Sequence, residues 1–132
     1  LACHMLGEHQ IQPVFEMING TDMPRFLVQN IAQAQDILEA IKNPNLKMQF
    51  DCYHMAMMGE NVLEALQENI DNIGHIQFAD CPNRHEPDTA NIAYSEIFNW
   101  INTSNYKGFI AAEYKPSNSS MLSFEWKKKY FA

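Results

Sequence analysis

Basic charge is scarce in this sequence, cysteine scarcer, and a long apolar run is missing. Nine Lys and Arg stand against sixteen Asp and Glu, a net charge of −7. Holding a nucleic-acid backbone or an anionic membrane surface takes clustered cations, so neither partner is expected. The only basic run, Lys127-Lys128-Lys129, falls in the tail and reads as the solvated face of a terminal helix. Cys3, Cys52 and Cys81 are odd in number and lack Cys-x-x-Cys spacing. That argues against a disulfide framework or a structural zinc site and for a reducing, cytoplasmic setting. No apolar run approaches the ~20 residues that span a bilayer. The start, Leu-Ala-Cys-His-Met-Leu-Gly-Glu, has no basic region ahead of its apolar residues, unlike a signal peptide. It reads as the last turns of a helix closed by Gly7, and a chain that opens inside a helix is expected to be cut from something longer.

What is present is one domain's worth of chain, residues 1–132, with 46% hydrophobic and 19% charged residues. Ile11-Gln-Pro-Val-Phe-Glu16 is a short β-prone run with Pro13 near its start, where a strand tolerates it. Asn19-Gly20-Thr21-Asp22 is a turn, with Asp22 as expected N-cap and Pro24 in the first turn of a helix. Leu27, Ile31, Ala34, Ile37, Leu38 and Ile41 recur at helical spacing over 26–41, and Asn43-Pro44-Asn45 ends that helix. From Leu46 to Tyr53 the chain alternates, with Leu46, Met48 and Phe50 on one face and Lys47, Gln49, Asp51 and Tyr53 on the other. After Gly59, residues Val62, Leu63, Leu66, Ile70 and Ile73 mark a second amphipathic helix, with Gly74 as its expected C′ residue.

His75 to Asp80 reads as the next strand, with Ile76 and Phe78 opposite His75 and Gln77. A polar loop, Cys81 to Asn91, carries Arg84, His85 and Glu86; loops of this length and charge are commonly functional. A third helix over 94–101, a strand over 109–114 and a last helix over 123–130 complete the pattern.

Strands alternating with helices imply a parallel sheet with right-handed crossovers. An open doubly wound sheet buries both faces and calls for strands that are apolar on both. Here one face carries Lys47, Gln49, Asp51, His75, Gln77 and Glu113, as expected of a barrel interior near its catalytic mouth. The expectation is therefore an α/β fold of the (β/α)8 TIM-barrel type, of which this chain supplies about four βα units, the second half. A full barrel takes about 250 residues. An open half exposes two edges and its inner face, so the chain is expected to pair with a second copy, as a homodimer, or with a first-half barrel.

Glu16, Asp51, Gln77 and Glu113 stand at the four expected strand ends, 35, 26 and 36 residues apart. Alone, a strand-end carboxylate is commonly a cap. Four oxygen-bearing side chains in register form a candidate site for a hard or borderline divalent cation, Mg, Mn or Co, in preference to zinc. His54, one turn beyond Asp51, is a candidate substrate contact or an orienter of a ligand. Arg84 and His85 could hold a carboxylate or a sugar hydroxyl, and His75 reads as a hydrogen-bonded core histidine. Met55, Met57 and Met58 read as gap-filling apolar residues or pocket wall. Cys52 and Cys81 have no local base, so no nucleophile is assigned.

Phe50-Asp51-Cys52-Tyr53-His54-Met55, Gly74-His75-Ile76-Gln77-Phe78-Ala79-Asp80, Arg84-His85-Glu86-Pro87 and Ala112-Glu113-Tyr114-Lys115-Pro116 together resemble the hydroxypyruvate isomerase family. That family lies within the xylose-isomerase-like barrel superfamily, beside sugar epimerases and endonuclease IV enzymes. The resemblance covers the second half of the family's barrel. It implies a divalent metal ion held by Glu16, Asp51, Gln77 and Glu113. It also implies Glu16 and Glu113 as proton donor and acceptor, and His54 and Arg84 as substrate-binding residues. The implied reaction interconverts hydroxypyruvate and 2-hydroxy-3-oxopropanoate through an enediolate.

The chain departs from the family pattern at three places. Asn83 precedes Arg84, Asp88-Thr89-Ala90-Asn91 replaces a Gly-Thr-Gly-Glu run, and Lys115 stands where arginine is usual. A sugar epimerase of the same superfamily is the nearest rival, though such enzymes usually have histidine where Gln77 stands. An endonuclease IV-like enzyme calls for more zinc-binding histidines and a basic surface. A non-catalytic half-barrel that binds a partner chain is the rival from a different class.

Overall fold

The computed structural model describes residues 1–131; Ala132, the last residue of the expected domain, lies outside the described residues. Helix α1 is Ala2–Glu8, followed by strand β1 (Val14–Glu16), α2 (Ile31–Ile41), β2 (Lys47–Asp51), α3 (Cys52–Met57), α4 (Val62–Asn69), β3 (Ile73–Phe78), α5 (Tyr94–Thr103), β4 (Phe109–Ala112) and α6 (Trp126–Tyr130). Single 3₁₀ turns lead into β3 (Ile70–Asn72) and α6 (Leu122–Phe124).

The four strands form one parallel sheet in the order β1-β2-β3-β4. Each strand lies beside its predecessor with no reversal of direction around the sheet, which is the winding of a barrel and not of a doubly wound sheet. The fold is thus a partial (β/α) barrel. Among the described residues, β1 and β4 each have one neighbour and form the two edges.

Alternation decides which side is covered. Met48, Phe50, Ile76 and Phe78 point outward and are buried under Ala34 of α2, Ala65 and Leu66 of α4, and Ile97, Phe98 and Ile101 of α5. Each such phenylalanine contributes about 2–3 kcal/mol by leaving water. Phe78 also meets Phe98 and Trp126 edge-on, which draws α6 onto the same core. On the opposite side, Gln49, His75 and Gln77 are partly exposed, and Phe109 at the β4 edge is 83% exposed.

Several boundaries differ from the sequence reading for local reasons. Helix α2 begins at Ile31 because Asn30 caps it, its side chain accepting from Gln33 N at 3.0 Å. Residues 26–30 stay outside the helix, and Leu27 is 86% exposed. Asp22 is no cap; its carboxylate accepts from Asn19 Nδ2 and Tyr53 OH. Gly7 lies inside α1, and the left-handed residue beyond that helix is Gln10, at φ 58°. His75, read as a core histidine, is half-buried on the sheet's inner side.

Gly74 is not a helix cap but the extra residue of a β-bulge, since Met48 pairs with Ile73 and Gln49 with His75. That extra residue lets Ile73 face the outer core while His75 and Gln77 face inward. Glycine is required there because a Cβ would lie 2.7 Å from Gln12 Oε1 and 2.9 Å from Lys47 Cβ. Among the described residues, no helix is long and apolar enough to cross a membrane.

Candidate functional site

β2 ends on Asp51, which was expected to continue as strand to Tyr53. Instead, Asp51 Oδ1 accepts from Tyr53 N at 2.9 Å and caps α3 directly. The turn that follows carries Cys52, Tyr53, His54 and Met55 into buried positions. One strand and one short helix therefore fix Asp51 and His54 relative to each other, with His54 Nε2 3.7 Å from Asp51 Oδ2. Glu16, the last residue of β1, brings its Oε1 to 3.9 Å from the same Nε2. Ligand atoms of Glu16, Asp51 and His54 all lie within 4.8 Å of one another.

Arg84 reaches this cluster from the loop after β3. Its Nη2 stands 3.6 Å from Asp51 Oδ2 and 3.0 Å from Glu113 Oε2, bridging the buried acid and the half-exposed one. The guanidinium also lies over the Tyr53 ring, 4.9 Å from its centroid. Glu113 sits just past β4 and continues the ladder, its N donating to Phe78 O at 3.0 Å. Gln77 is the register partner of Asp51 on β3, and its Oε1 accepts from Gln49 Nε2. The six residues singled out from sequence thus occupy one end of the sheet: Arg84 pairs with Asp51 and Glu113, the His54 ring lies within 4 Å of Glu16 and Asp51, and Gln77 is tied to Gln49. A cleft of about 650 Å³ opens there, lined by Glu16, Asp22, Tyr53, His54, Arg84 and Glu113 among others.

Electrostatics at this end are those of acids held without enough partners. Glu16 Oε1 and Asp51 Oδ2 are buried and accept no hydrogen bond among the described residues. Burial pushes Asp51 up to about 7, against the pull of the Tyr53 N–H and Arg84. Glu16 is raised for the same first reason, opposed by the neighbouring Gln49 amide. His54 is pushed down to about 4, by burial first and then by Arg84. Two orphaned carboxylate oxygens facing one gap are a donor set that suits a hard divalent cation. The residues present fit such an ion.

The loop from Cys81 to Ile92 is held from behind by Asp80, which is buried. Its Oδ1 accepts from the N–H groups of Cys81, Asn91 and Ile92, and its Oδ2 from those of Thr89 and Ala90, at 2.8–3.0 Å. The segment after β4 clasps the loop from the other side. Lys115 N donates to Arg84 O, and Ser117 donates through N and Oγ to the Glu86 carboxylate. These contacts hold Arg84 at φ 57° and Asp88 at φ 70°, left-handed conformations that non-glycine residues resist.

Sequence reasoning missed Asn19, Asp22, Tyr53 and Asp80 as parts of this site. Asn19 and Asp22 carry the signature of a turn, and the turn forms: Asn19 Oδ1 accepts from Thr21 N and Asp22 N. No signal in the sequence places that turn against His54. Cys52 is buried, and burial raises its thiol well above the usual range, which disfavours the thiolate.

Residues 1–130 match the family described as xylose isomerase-like TIM barrel. The chain is 36% identical to hydroxypyruvate isomerase of Escherichia coli K12 and 38% identical to 2-oxo-tetronate isomerase of Cupriavidus necator; each match covers 98% of the chain and 50% of the relative. The chain spans about half the length of the curated relatives it matches. A crystal structure described as an AP endonuclease of family 2 from Brucella melitensis superposes with a TM-score of 0.92 at 26% identity, over 98% of this chain and 50% of that one.

Proposed function

The chain belongs to the xylose isomerase-like TIM barrel family, and from that premise we propose that it is the C-terminal half, residues 1–132, of a metal-dependent isomerase domain. The reaction proposed is the interconversion of hydroxypyruvate and 2-hydroxy-3-oxopropanoate. The observation that carries the reading is the pair of buried, unpartnered carboxylate oxygens, Glu16 Oε1 and Asp51 Oδ2, facing one gap at the end of the sheet.

Glu16, Asp51, Gln77 and Glu113 would hold the cation, with Mg, Mn or Co favoured over zinc because all four ligands are oxygens. When bound, such an ion supplies Lewis-acid polarisation of the substrate's oxygens. The chain's own residues do the rest. Glu16 and Glu113 enter from opposite edges of the sheet, β1 and β4, a separation suited to taking a proton from one carbon and returning it to its neighbour. Arg84, fixed by its loop, binds the substrate carboxylate, and His54 binds a substrate oxygen.

The inner sheet face and the two unpaired edges support a partner, a first-half barrel or a second copy of this chain. The three free cysteines accord with a reducing, cytoplasmic setting. The similarity to 2-oxo-tetronate isomerase makes that longer hydroxy-keto acid the second substrate candidate. The test is an isomerisation assay with added Mn²⁺ or Mg²⁺ on both substrates, using this chain alone and mixed with a first-half fragment of a relative. Turnover of hydroxypyruvate supports the proposal. No turnover of either acid under any of these conditions overturns it, in favour of a non-catalytic half-barrel.

A further inference from the structure

We propose that Asn19 is a positioning residue that holds the His54 imidazole with its proton on Nε2, making His54 a hydrogen-bond donor into the cleft and barring it from ligating a cation there. The inference rests on the functional reading above for its consequence, but not for its geometry.

His54 Nδ1 faces two nitrogens of Asn19: the backbone N at 3.4 Å and the side-chain Nδ2 at 2.7 Å. A backbone N–H can only donate, so Nδ1 must accept. A neutral imidazole carries one proton, which then sits on Nε2. The Asn19 amide is itself locked the right way round. Its Oδ1 accepts from the N–H groups of Thr21 and Asp22, at 3.1 and 2.8 Å, while Nδ2 donates to Asp22 Oδ2 at 3.0 Å. Reversing it would set NH₂ against two N–H donors and oxygen against a carboxylate. Asn19 is fully buried, so water cannot substitute for either set of contacts.

At the other end of the ring, Nε2 lies 3.9 Å from Glu16 Oε1 and 3.7 Å from Asp51 Oδ2. Both exceed hydrogen-bond length, so the Nε2–H remains unused and points at the gap between the two carboxylates. A histidine that binds metal donates its other N–H to a carboxylate or carbonyl. Here the other nitrogen faces only donors, the reverse of that arrangement. The proximity of His54 to Glu16 and Asp51 is therefore that of a donor to substrate oxygen, and the cation's ligands are the oxygens alone.

The test is ¹⁵N NMR on the chain labelled at histidine, where long-range ¹H–¹⁵N correlation separates the two tautomers. The His54 signals are assigned by their loss in His54→Gln. The expected pattern is protonated Nε2 and unprotonated Nδ1, unmoved by titration with Mg²⁺ or Zn²⁺. In Asn19→Asp a carboxylate replaces the donor, and the Nδ1 resonance should shift to the protonated position. In Asn19→Ala, which keeps only the longer backbone contact, the single pattern should give way to an averaged one. A protonated Nδ1 in the unsubstituted chain overturns the proposal. So does loss of the Nε2 proton on adding Zn²⁺, or an unchanged pattern in whichever Asn19 variant folds. The tautomer is read without substrate, so absence of isomerase activity would count against the proposed function and leave this inference standing.

Discussion

Asp51 and His54 stand one helical turn apart, Oδ2 and Nε2 3.7 Å from each other, and burial drives their proton equilibria in opposite directions. Asp51 moves from 3.8 up to about 7, so at intermediate pH the folded chain keeps a proton that the unfolded chain has lost. Its contribution to stability is present below the unfolded value and is lost as pH rises. His54 moves from 6.5 down to about 4, so the folded chain lacks a proton that the unfolded chain holds, and its contribution is lost as pH falls.

These two dependences oppose each other across the shared window, and the raised Glu16 adds to the Asp51 side. Urea unfolding across that window should therefore vary little with pH for the unsubstituted chain. In Asp51→Asn the His54 dependence stands with less opposition, and stability relative to the unsubstituted chain should climb as pH rises. In His54→Gln the relative stability should fall instead. Parallel curves for all three proteins would show that the two groups do not titrate as described.

Cation binding should depend on the carboxylates that face the gap. Asp51→Asn, Glu16→Gln and Glu113→Gln are each expected to weaken Mn²⁺ binding at least tenfold, about 1.4 kcal/mol, by calorimetry. The loss should be greatest for Asp51, whose whole side chain is buried, whereas that of Glu16 is 22% exposed. Unchanged affinity in all three would remove the site.

Asp80 should matter to stability more than any exposed acid. Five backbone N–H groups converge on its carboxylate, and Asp80→Ala leaves them to find other partners. The expected cost is about 3 kcal/mol or more, from hydrogen bonds to a charged acceptor and newly unsatisfied donors. Chemical denaturation measures it. A loss near zero would mean that the loop carrying Arg84 is held by the clasp from residues 115–117 alone.

Association should run through the inner sheet face. Phe109 is 83% exposed at the β4 edge, where an apolar ring is expected to meet another chain. Phe109→Asp should leave the chain's own unfolding midpoint nearly unchanged and abolish association with a first-half fragment or a second copy. Chemical denaturation reads the first and sedimentation velocity the second. An unsubstituted chain that stays monomeric at every concentration, with and without the fragment, would refute the surface.

The strands were legible because a half-buried sheet leaves a period of two in the sequence. Met48 and Phe50 against Gln49 and Asp51, and Ile76 and Phe78 against His75 and Gln77, marked both the faces and the sense of the barrel. The departures arose where one local signal served another purpose. Gly74 looked like a helix terminator because glycine commonly is one, yet it fills a bulge where a Cβ would strike Gln12 and Lys47. Asp22 looked like a cap because it precedes Pro24, yet its carboxylate is taken by Asn19 and Tyr53. Helix α3 was missed because it is short and buried, so it shows no amphipathic period.

Periodicity and residue type by themselves pointed to the barrel winding, its inward face and the strand-end set Glu16, Asp51, Gln77 and Glu113. Those depend on alternation along one strand at a time, which a sequence records directly. The choice of His54 and Arg84 as substrate contacts came from the family resemblance. Tertiary structure alone decided that Glu16 Oε1 and Asp51 Oδ2 are left without partners. It also decided that Arg84 bridges Asp51 and Glu113, and that Asn19 faces the far side of the His54 ring. Those are relations between groups 29 to 35 residues apart, and their strength comes from shared burial, which no single stretch of the chain contains.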